Sequence, residues 1–455
     1  MPTIAEQLSA YATSLHYRDL PPEVAHLAKR MIIDSLGCAI GAYASEPSKI
    51  ARDIAATVTS TQPATIIGSG LTTSPDLATF ANGVMLRNLD YNDGYTSLES
   101  GHPSDSIAAV LSACEMAGQG GRRAITATVA AYEAFCRIGD AYTLRYLGWD
   151  HPTNGCIASI IGAARSQGLS PEQTEQALNL GIAPNIALGQ TRVGVLSHWK
   201  GCAYANASRN AVFATMLAQR GLTGPSPIFE GEYGFFHAVT GEPYELEPFG
   251  GTDGQPFKIA ECSIKRFPLG QYSQTVAQAA LEIRDQVPRL NTDDIAQISI
   301  QTLQKGIDIM AGPEKWDPMS RETADHSMPY ATAVALTYGR VHQVHFSEEY
   351  YRSPHLLDLV KRTTIEVSEE ANRRAPEAML CNMEVAMKAG ERYSAEVAYH
   401  KGHWKNPMTD VELEEKFRAL AEELLSEGQT NTLLDRLWHL EEVEDIGEIL
   451  RLTKI

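Results

Sequence analysis

The chain has 455 residues, enough for two or three domains with a sizeable core, and its 44% hydrophobic and 21% charged residues are ordinary globular usage. Disordered, fibrous and disulfide-miniprotein classes are thereby excluded. Thirty-eight Lys and Arg against 56 Asp and Glu give a net charge of −18, which repels phosphate backbones and anionic membrane surfaces, so neither nucleic acid nor a membrane is an expected partner. The seven cysteines are scattered without C-x-x-C spacing, which encodes no disulfide framework and no zinc ribbon and fits a reducing compartment. No stretch approaches about eighteen uninterrupted apolar residues, and the first residues lack the basic and apolar regions of a secretion signal, so a cytoplasmic protein is expected.

Along the chain, Pro21-Pro22 presets a first helical turn, and Val24, Leu27, Ala28, Met31, Ile32 and Leu36 follow at helical spacing. Gly68-Ser-Gly70 opens like a dinucleotide fingerprint, but Thr73 stands at the third glycine position and no alternating βα pattern surrounds it, so it reads as a turn. Ser74-Pro75-Asp76 starts a helix with Leu77, Phe80, Ala81 and Val84 on one face, and its end delivers a loop carrying Asp90, Asp93 and His102. Ser170-Pro171-Glu172-Gln173 is a capping-box start, and another helix is predicted from about Cys202 to Arg220, stopping at Gly221. These segments are rich in Ala and Gly, which lets helices pack closely into one large helical domain.

After about residue 258 the texture changes. Ile295 to Leu303 partly alternates, Thr364 to Val367 is short and β-branched, and CNMEVAMK and ERYSAEVAYH read as two strands around Ala389-Gly390. From Asn406 the chain returns to helix, with Thr409 or Asp410 as the cap. The expected fold is mainly α with α+β: residues 1–258 begin a large all-helical domain, 259–400 form a smaller α+β lid, and 401–455 return to the helical domain. A cleft between the two is the expected ligand site.

No P-loop, G-x-S-x-G or H-E-x-x-H motif is present, so no cofactor announces itself, and no ligand spacing points to a metal. What remains is a scatter of chemically able side chains: Asp90, Asp93 and His102 in one loop, His151 ahead of a small-residue helix, Lys200 near Cys202, Lys265-Arg266, and His326 with Tyr330. Singly, each reads as a turn brace, a solvated charge or a hydrogen-bonded histidine. Chemistry follows only if several converge.

The runs FANGVMLRNLDYNDGY with GHPSD, WKGCAYANASRNAVFATMLAQRGLTGP, SIKRFPLGQYSQTVAQAA, ETADHSMPYATAVAL and NPMTDVELEEKF resemble the MmgE/PrpD family, in order and over nearly the whole chain. That family includes 2-methylcitrate dehydratases and cis-aconitate decarboxylases, and the resemblance implies a helical domain with an α+β lid, a homodimer and a di- or tricarboxylate substrate. By the same resemblance Asp90 and His102 belong to the acidic-loop motif, His151, Lys200 and Lys265 line one cleft, and Tyr330 follows D-H-S-x-x-Y beside His326. In the family's usual motif Thr follows the second Asp; here Gly94 stands there, with Thr96 and Ser97 the nearby hydroxyls, and Tyr272 stands where dehydratases often carry His.

The expected activity is therefore cofactor-independent dehydration of a 2-methylcitrate-like hydroxy polycarboxylate. His102, oriented by Asp90, would abstract the carbon-bound proton, and His151 would protonate the leaving hydroxyl, or the two would act with these roles exchanged. Lys200, Lys265 and Arg266 would hold carboxylates, with Tyr330, His326, Asp93 and Tyr272 completing the binding site. The alternatives are a decarboxylase of a cis-aconitate-like acid, an epimerase or racemase of a small amino- or imino-dicarboxylate, and a non-catalytic polycarboxylate-binding homodimer.

Overall fold

The computed structural model describes residues 2–455. Nine helices open the chain: α1 (Ile4–Ser14), α2 (Pro22–Gly41), α3 (Glu46–Ala55), α4 (Pro75–Asn88), α5 (Ile107–Met116), α6 (Gly121–Ala141), α7 (Pro152–Gln167), α8 (Pro171–Ile182) and α9 (Trp199–Gln219). Local sequence sets their starts. Pro occupies the first turn of α2, α4, α7 and α8, and α8 carries the full capping box between Ser170 and Gln173. Between α3 and α4, strands β1 (Ala64–Thr65) and β2 (Thr72–Thr73) form a small antiparallel ribbon that turns through Gly68 and Gly70, both at positive φ.

Small residues decide how closely these helices approach. A Cβ on Gly83 of α4 would lie 2.9 Å from Ala205 Cβ of α9, and one on Gly155 of α7 would lie 2.4 Å from the Tyr204 ring. Helices α4, α7 and α9 therefore meet at positions where a larger side chain would force them apart. The apolar core they share continues through Ile264 and resumes at Met408 in the C-terminal helices, where Phe417 and Leu420 cover Gly37 and Gly41 of α2.

A second apolar core runs from Phe267 to Val397. Its sheet has the order β4-β3-β5-β6, with β3 at Ile295–Thr302, β4 at Thr363–Val367, β5 at Cys381–Met387 and β6 at Arg392–Val397. Strands β3 and β4 are parallel, pairing Ile298 with Thr363, while β3–β5 and β5–β6 are antiparallel. The buried face of β5 and β6 packs on helix α10 (Gln274–Gln286), and the opposite face stays polar. The architecture is thus mainly α, with a smaller α+β part.

Candidate active site

The segments that deliver the site come from both parts of the molecule. Helix α4 ends at Asn88, and Asp90 just beyond it adopts a left-handed backbone (φ 49), a conformation that Asp tolerates at a helix C-terminus. This turn aims the Asp90 carboxylate into a cluster of cations. Arg87 Nη1 donates to Asp90 Oδ1 at 2.6 Å, Lys265 donates to the same oxygen and to the Asp90 carbonyl (3.0 Å), and Lys200 Nζ lies 3.2 Å from Oδ2. His326 Nδ1 is 3.0 Å from Asp90 Oδ2 and 3.0 Å from Asp325 Oδ1, and Lys200 also donates to Asp325 at 2.5 Å. Burial alone would raise the Asp90 pKa, but Arg87, Lys265 and Lys200 outweigh it and hold the carboxyl well below its usual range.

Asp90 does not touch His102, contrary to the expected orienting contact. The acidic turn points the carboxylate toward the lysines, and Arg87 stands between, its Nη2 donating to His102 Nε2 at 2.9 Å. His102 Nδ1 donates to the Asp93 carbonyl at 2.6 Å. Since guanidinium can only donate, Nε2 accepts and the ring is neutral with its proton on Nδ1. Burial, reinforced by Arg87 and Lys265, pushes the His102 pKa well below its ordinary value, in agreement with that tautomer.

His151 stands at the start of α7 with Nδ1 3.0 Å from Asp150 Oδ1. Arg192 grips the same carboxylate through Nε at 2.9 and 3.2 Å and donates from Nη1 to the Lys200 carbonyl. The His151 and His326 pKa values are both lowered, by burial first, with their carboxylate partners offsetting part of the effect. Lys265 is pushed down to about 8 by burial, partly countered by Asp90.

Arg87, His102, His151, Arg145, Arg192, Gln271, Tyr272 and His326 line one cleft enclosing about 560 Å³ of space, part of it open to solvent. Five of these groups carry buried atoms without a hydrogen-bond partner among the described residues: Arg87 Nε, Arg145 Nε, Arg192 Nη2, His151 Nε2 and the Gln271 amide. The guanidinium N–H groups held this way in a cleft await an anion, whereas His151 Nε2, whose ring turns Nδ1 to Asp150, is left as an acceptor. Asp90, Asp325 and His326 also offer ligand atoms within 4.8 Å of one another, but Lys200 and Lys265 already occupy those carboxylates, so a divalent cation would have to displace ammonium groups.

Of the residues expected from sequence, Asp90, His102, His151, Lys200, Lys265, His326 and Tyr272 converge on this cleft or the charge cluster beneath it. Three do not reach it. Arg266 is exposed beside the Phe267 ring, with only its carbonyl used, by the Tyr91 hydroxyl. Tyr330 is buried in the α+β core and donates to the His345 carbonyl at 2.6 Å. Asp93 braces the loop from within, accepting from Tyr132 Oη (2.6 Å) and the Ser104 amide (3.2 Å). Sequence reasoning missed Arg87, Arg145, Asp150, Arg192, Gln271 and Asp325. A signal existed for two of them, because Asp immediately precedes His at both Asp150-His151 and Asp325-His326.

Comparison with known proteins gives the class. The MmgE/PrpD N-terminal domain matches residues 6–247 and the MmgE/PrpD C-terminal domain residues 267–440; the chain belongs to the MmgE/PrpD family. Among its relatives, cis-aconitate decarboxylase of Homo sapiens is 25% identical across 98% of this chain and 94% of the human protein. The 2-methylcitrate dehydratases of Cupriavidus necator and Escherichia coli are each 26% identical, over 74% and 68% of this chain and 72% and 66% of their own lengths. No helix among the described residues is long and apolar enough to cross a membrane.

Proposed function

We propose that the protein is a lyase that eliminates water from a hydroxy di- or tricarboxylate of the 2-methylcitrate type. One observation carries this reading: His151 and His326 each turn Nδ1 to a carboxylate, leaving Nε2 as the nitrogen available to the same guanidinium-lined cleft. Elimination needs two such proton carriers. One Nε2 takes the proton from the carbon next to a carboxylate, and the C–H electrons form the double bond. The other, protonated, delivers its proton to the departing hydroxyl, which leaves as water. Arg145 and Arg192 hold substrate carboxylates, while Arg87, Lys200 and Lys265 stabilise the charge that builds on the carboxylate beside the reacting carbon. His102, its Nε2 already occupied by Arg87, forms a neutral wall of the cleft instead of serving as the base.

A second reading, decarboxylation of a cis-aconitate-like acid, is favoured by the near full-length match to the human decarboxylase. Proton NMR of the purified protein in D₂O with 2-methylcitrate, citrate, cis-aconitate and malate separates the possibilities. New vinyl signals from a hydroxy acid support dehydration, and loss of carbon dioxide supports decarboxylation. Exchange at the carbon without loss of a group would replace both with an epimerase, and binding without any of these with a carboxylate-binding protein.

A cytoplasmic homodimer belongs to the same proposal. All seven cysteines are buried and free, and Leu188, Val193, Val195 and Trp199 leave apolar surface exposed. Sedimentation at the mass of a monomer would overturn the dimer.

A further inference from the structure

Gly94 occupies a site where the backbone does not require glycine. Its φ lies outside the left-handed region, and its N–H and C=O pair with Ser263 at 2.8 Å each in a short antiparallel bridge, a geometry open to any residue. What a side chain here would meet is the far end of the flexible Gln271 side chain, which it would displace. A Cβ at this position would sit 2.4 Å from Gln271 Oε1 and 2.8 Å from Gln271 Cδ. The carboxamide of Gln271 thus lies where a side chain at position 94 would stand.

Gln271 is 8% exposed and lines the cleft, and its carboxamide is buried with no partner for either its oxygen or its nitrogen. A buried amide with both ends unmet costs stability unless a ligand meets them. Neither nearby hydroxyl takes over the place of a side chain at 94: Ser97 Oγ donates to Asp140 at 2.5 Å, and Thr96 faces a separate recess with Lys258 and Trp404.

We infer that Gln271, admitted by Gly94, is a specificity-determining residue that reads a group able both to donate and to accept a hydrogen bond, a hydroxyl or an amine, borne by a carboxylate substrate. This rests on the polycarboxylate reading above and narrows it. The rest of the cleft is rich in donors and recognises carboxylate oxygens; an amide can also accept, which only a substrate carrying O–H or N–H can use. A site built to hydrogen-bond such a group discriminates against the analogue lacking it.

The test uses acids that differ only in that group, titrated calorimetrically into the full-length protein: citrate against tricarballylate, and malate and aspartate against succinate. The wild-type protein is expected to prefer the substituted acid by about tenfold or more. Gln271→Met keeps the volume and removes the hydrogen bonds, and should reduce that ratio to near one while tricarballylate and succinate bind as before. Gly94→Thr, which displaces the amide, should erode the ratio as well; thermal melts establish that each variant is folded. Preference for malate identifies the hydroxyl, and preference for aspartate the amine. Equal binding of both members of each pair by the wild-type protein, or a ratio unchanged in folded Gln271→Met, overturns this inference and leaves the polycarboxylate reading standing. Failure to bind any of the acids overturns both.

Discussion

Arg87 links Asp90 to His102: Nη1 donates to the carboxylate at 2.6 Å, and Nη2 donates to the imidazole Nε2 at 2.9 Å. One guanidinium therefore fixes the charge of the acid and the tautomer of the histidine together. Replacing Arg87 with Met removes a cation that depresses the His102 pKa, while burial, the larger cause, remains. The His102 pKa is expected to rise in the variant yet stay below that of free histidine, and turnover to fall by about 10²-fold or more. Imidazole NMR titration with parallel kinetics measures both; an unmoved pKa with undiminished turnover would refute the link.

The two Asp-His pairs predict the acidic side of the pH profile. Both histidine pKa values are lowered, so the neutral base persists below the usual histidine midpoint of 6.5, and activity should fall only as pH drops beneath it. Asp150 raises the His151 pKa, so Asp150→Asn should move the acid limb to still lower pH while cutting kcat, since an amide no longer enforces the productive tautomer. A profile of kcat/KM from about pH 5 to 9 tests this. A limb shifted upward in the variant would contradict the assignment.

Much of the fold was legible in the chain because local signals set it. The Ser170 capping box, the helix capped by Thr409, the first of the two caps expected there, the proline-led helix starts and the β5–β6 hairpin around Gly390 lie where composition and spacing put them. The site was legible only in part, for a physical reason. Asp90, His102, Lys200 and Lys265 sit in dense motifs, whereas Arg145 and Arg192 come from short irregular turns whose place is set by tertiary packing alone. Tyr330 misled because its motif neighbours His326, yet its place in the first turn of the helix Met328–Tyr338 turns its ring into the α+β core and its hydroxyl to a carbonyl. Pattern gave proximity along the chain; orientation came from packing.

Lys265 predicts the alkaline side. Its pKa is pushed down to about 8 by burial, so the ammonium beside Asp90 is lost as pH rises through that value, and kcat/KM should decline there. The fold should not decline with it through this group. Between about 8 and the ordinary lysine value the unfolded chain binds more protons, so the Lys265 contribution to stability rises with pH over that window. Lys265→Arg keeps the charge and should remove the part of the alkaline decline centred near pH 8, leaving the part set by deprotonation of the histidine that serves as the acid, at whatever absolute rate. Circular dichroism across the same range must stay constant; unfolding that tracks the loss of activity would remove Lys265 as its cause.

Lys416, from the helix Asp410–Ala421, reaches beneath the site and joins three segments: its Nζ contacts Asp34 Oδ1 at 2.6 Å and donates to the carbonyls of Tyr91 (2.7 Å) and Lys265 (2.9 Å). Each carbonyl flanks or belongs to a residue of the charge cluster, so this ammonium positions Asp90 and Lys265 without touching the cleft. Lys416→Met leaves Asp34 buried with no cation on it, which should cost about 3–5 kcal/mol. The cost should depend on pH in a definite direction. Burial raises the Asp34 pKa and Lys416 lowers it, so without Lys416 the folded state favours the protonated acid more strongly. Stability of the variant is then best at low pH and is lost as pH rises through the raised pKa, the opposite of an ordinary salt-bridged carboxylate. Asp34→Asn combined with Lys416→Met removes the buried charge and should recover stability at neutral pH while turnover stays depressed, because the carbonyls of Tyr91 and Lys265 remain unheld. Urea unfolding at about pH 5 and about pH 8, with kcat measured on all three proteins, decides it; a double variant that regains full turnover would show Lys416 to be structural only.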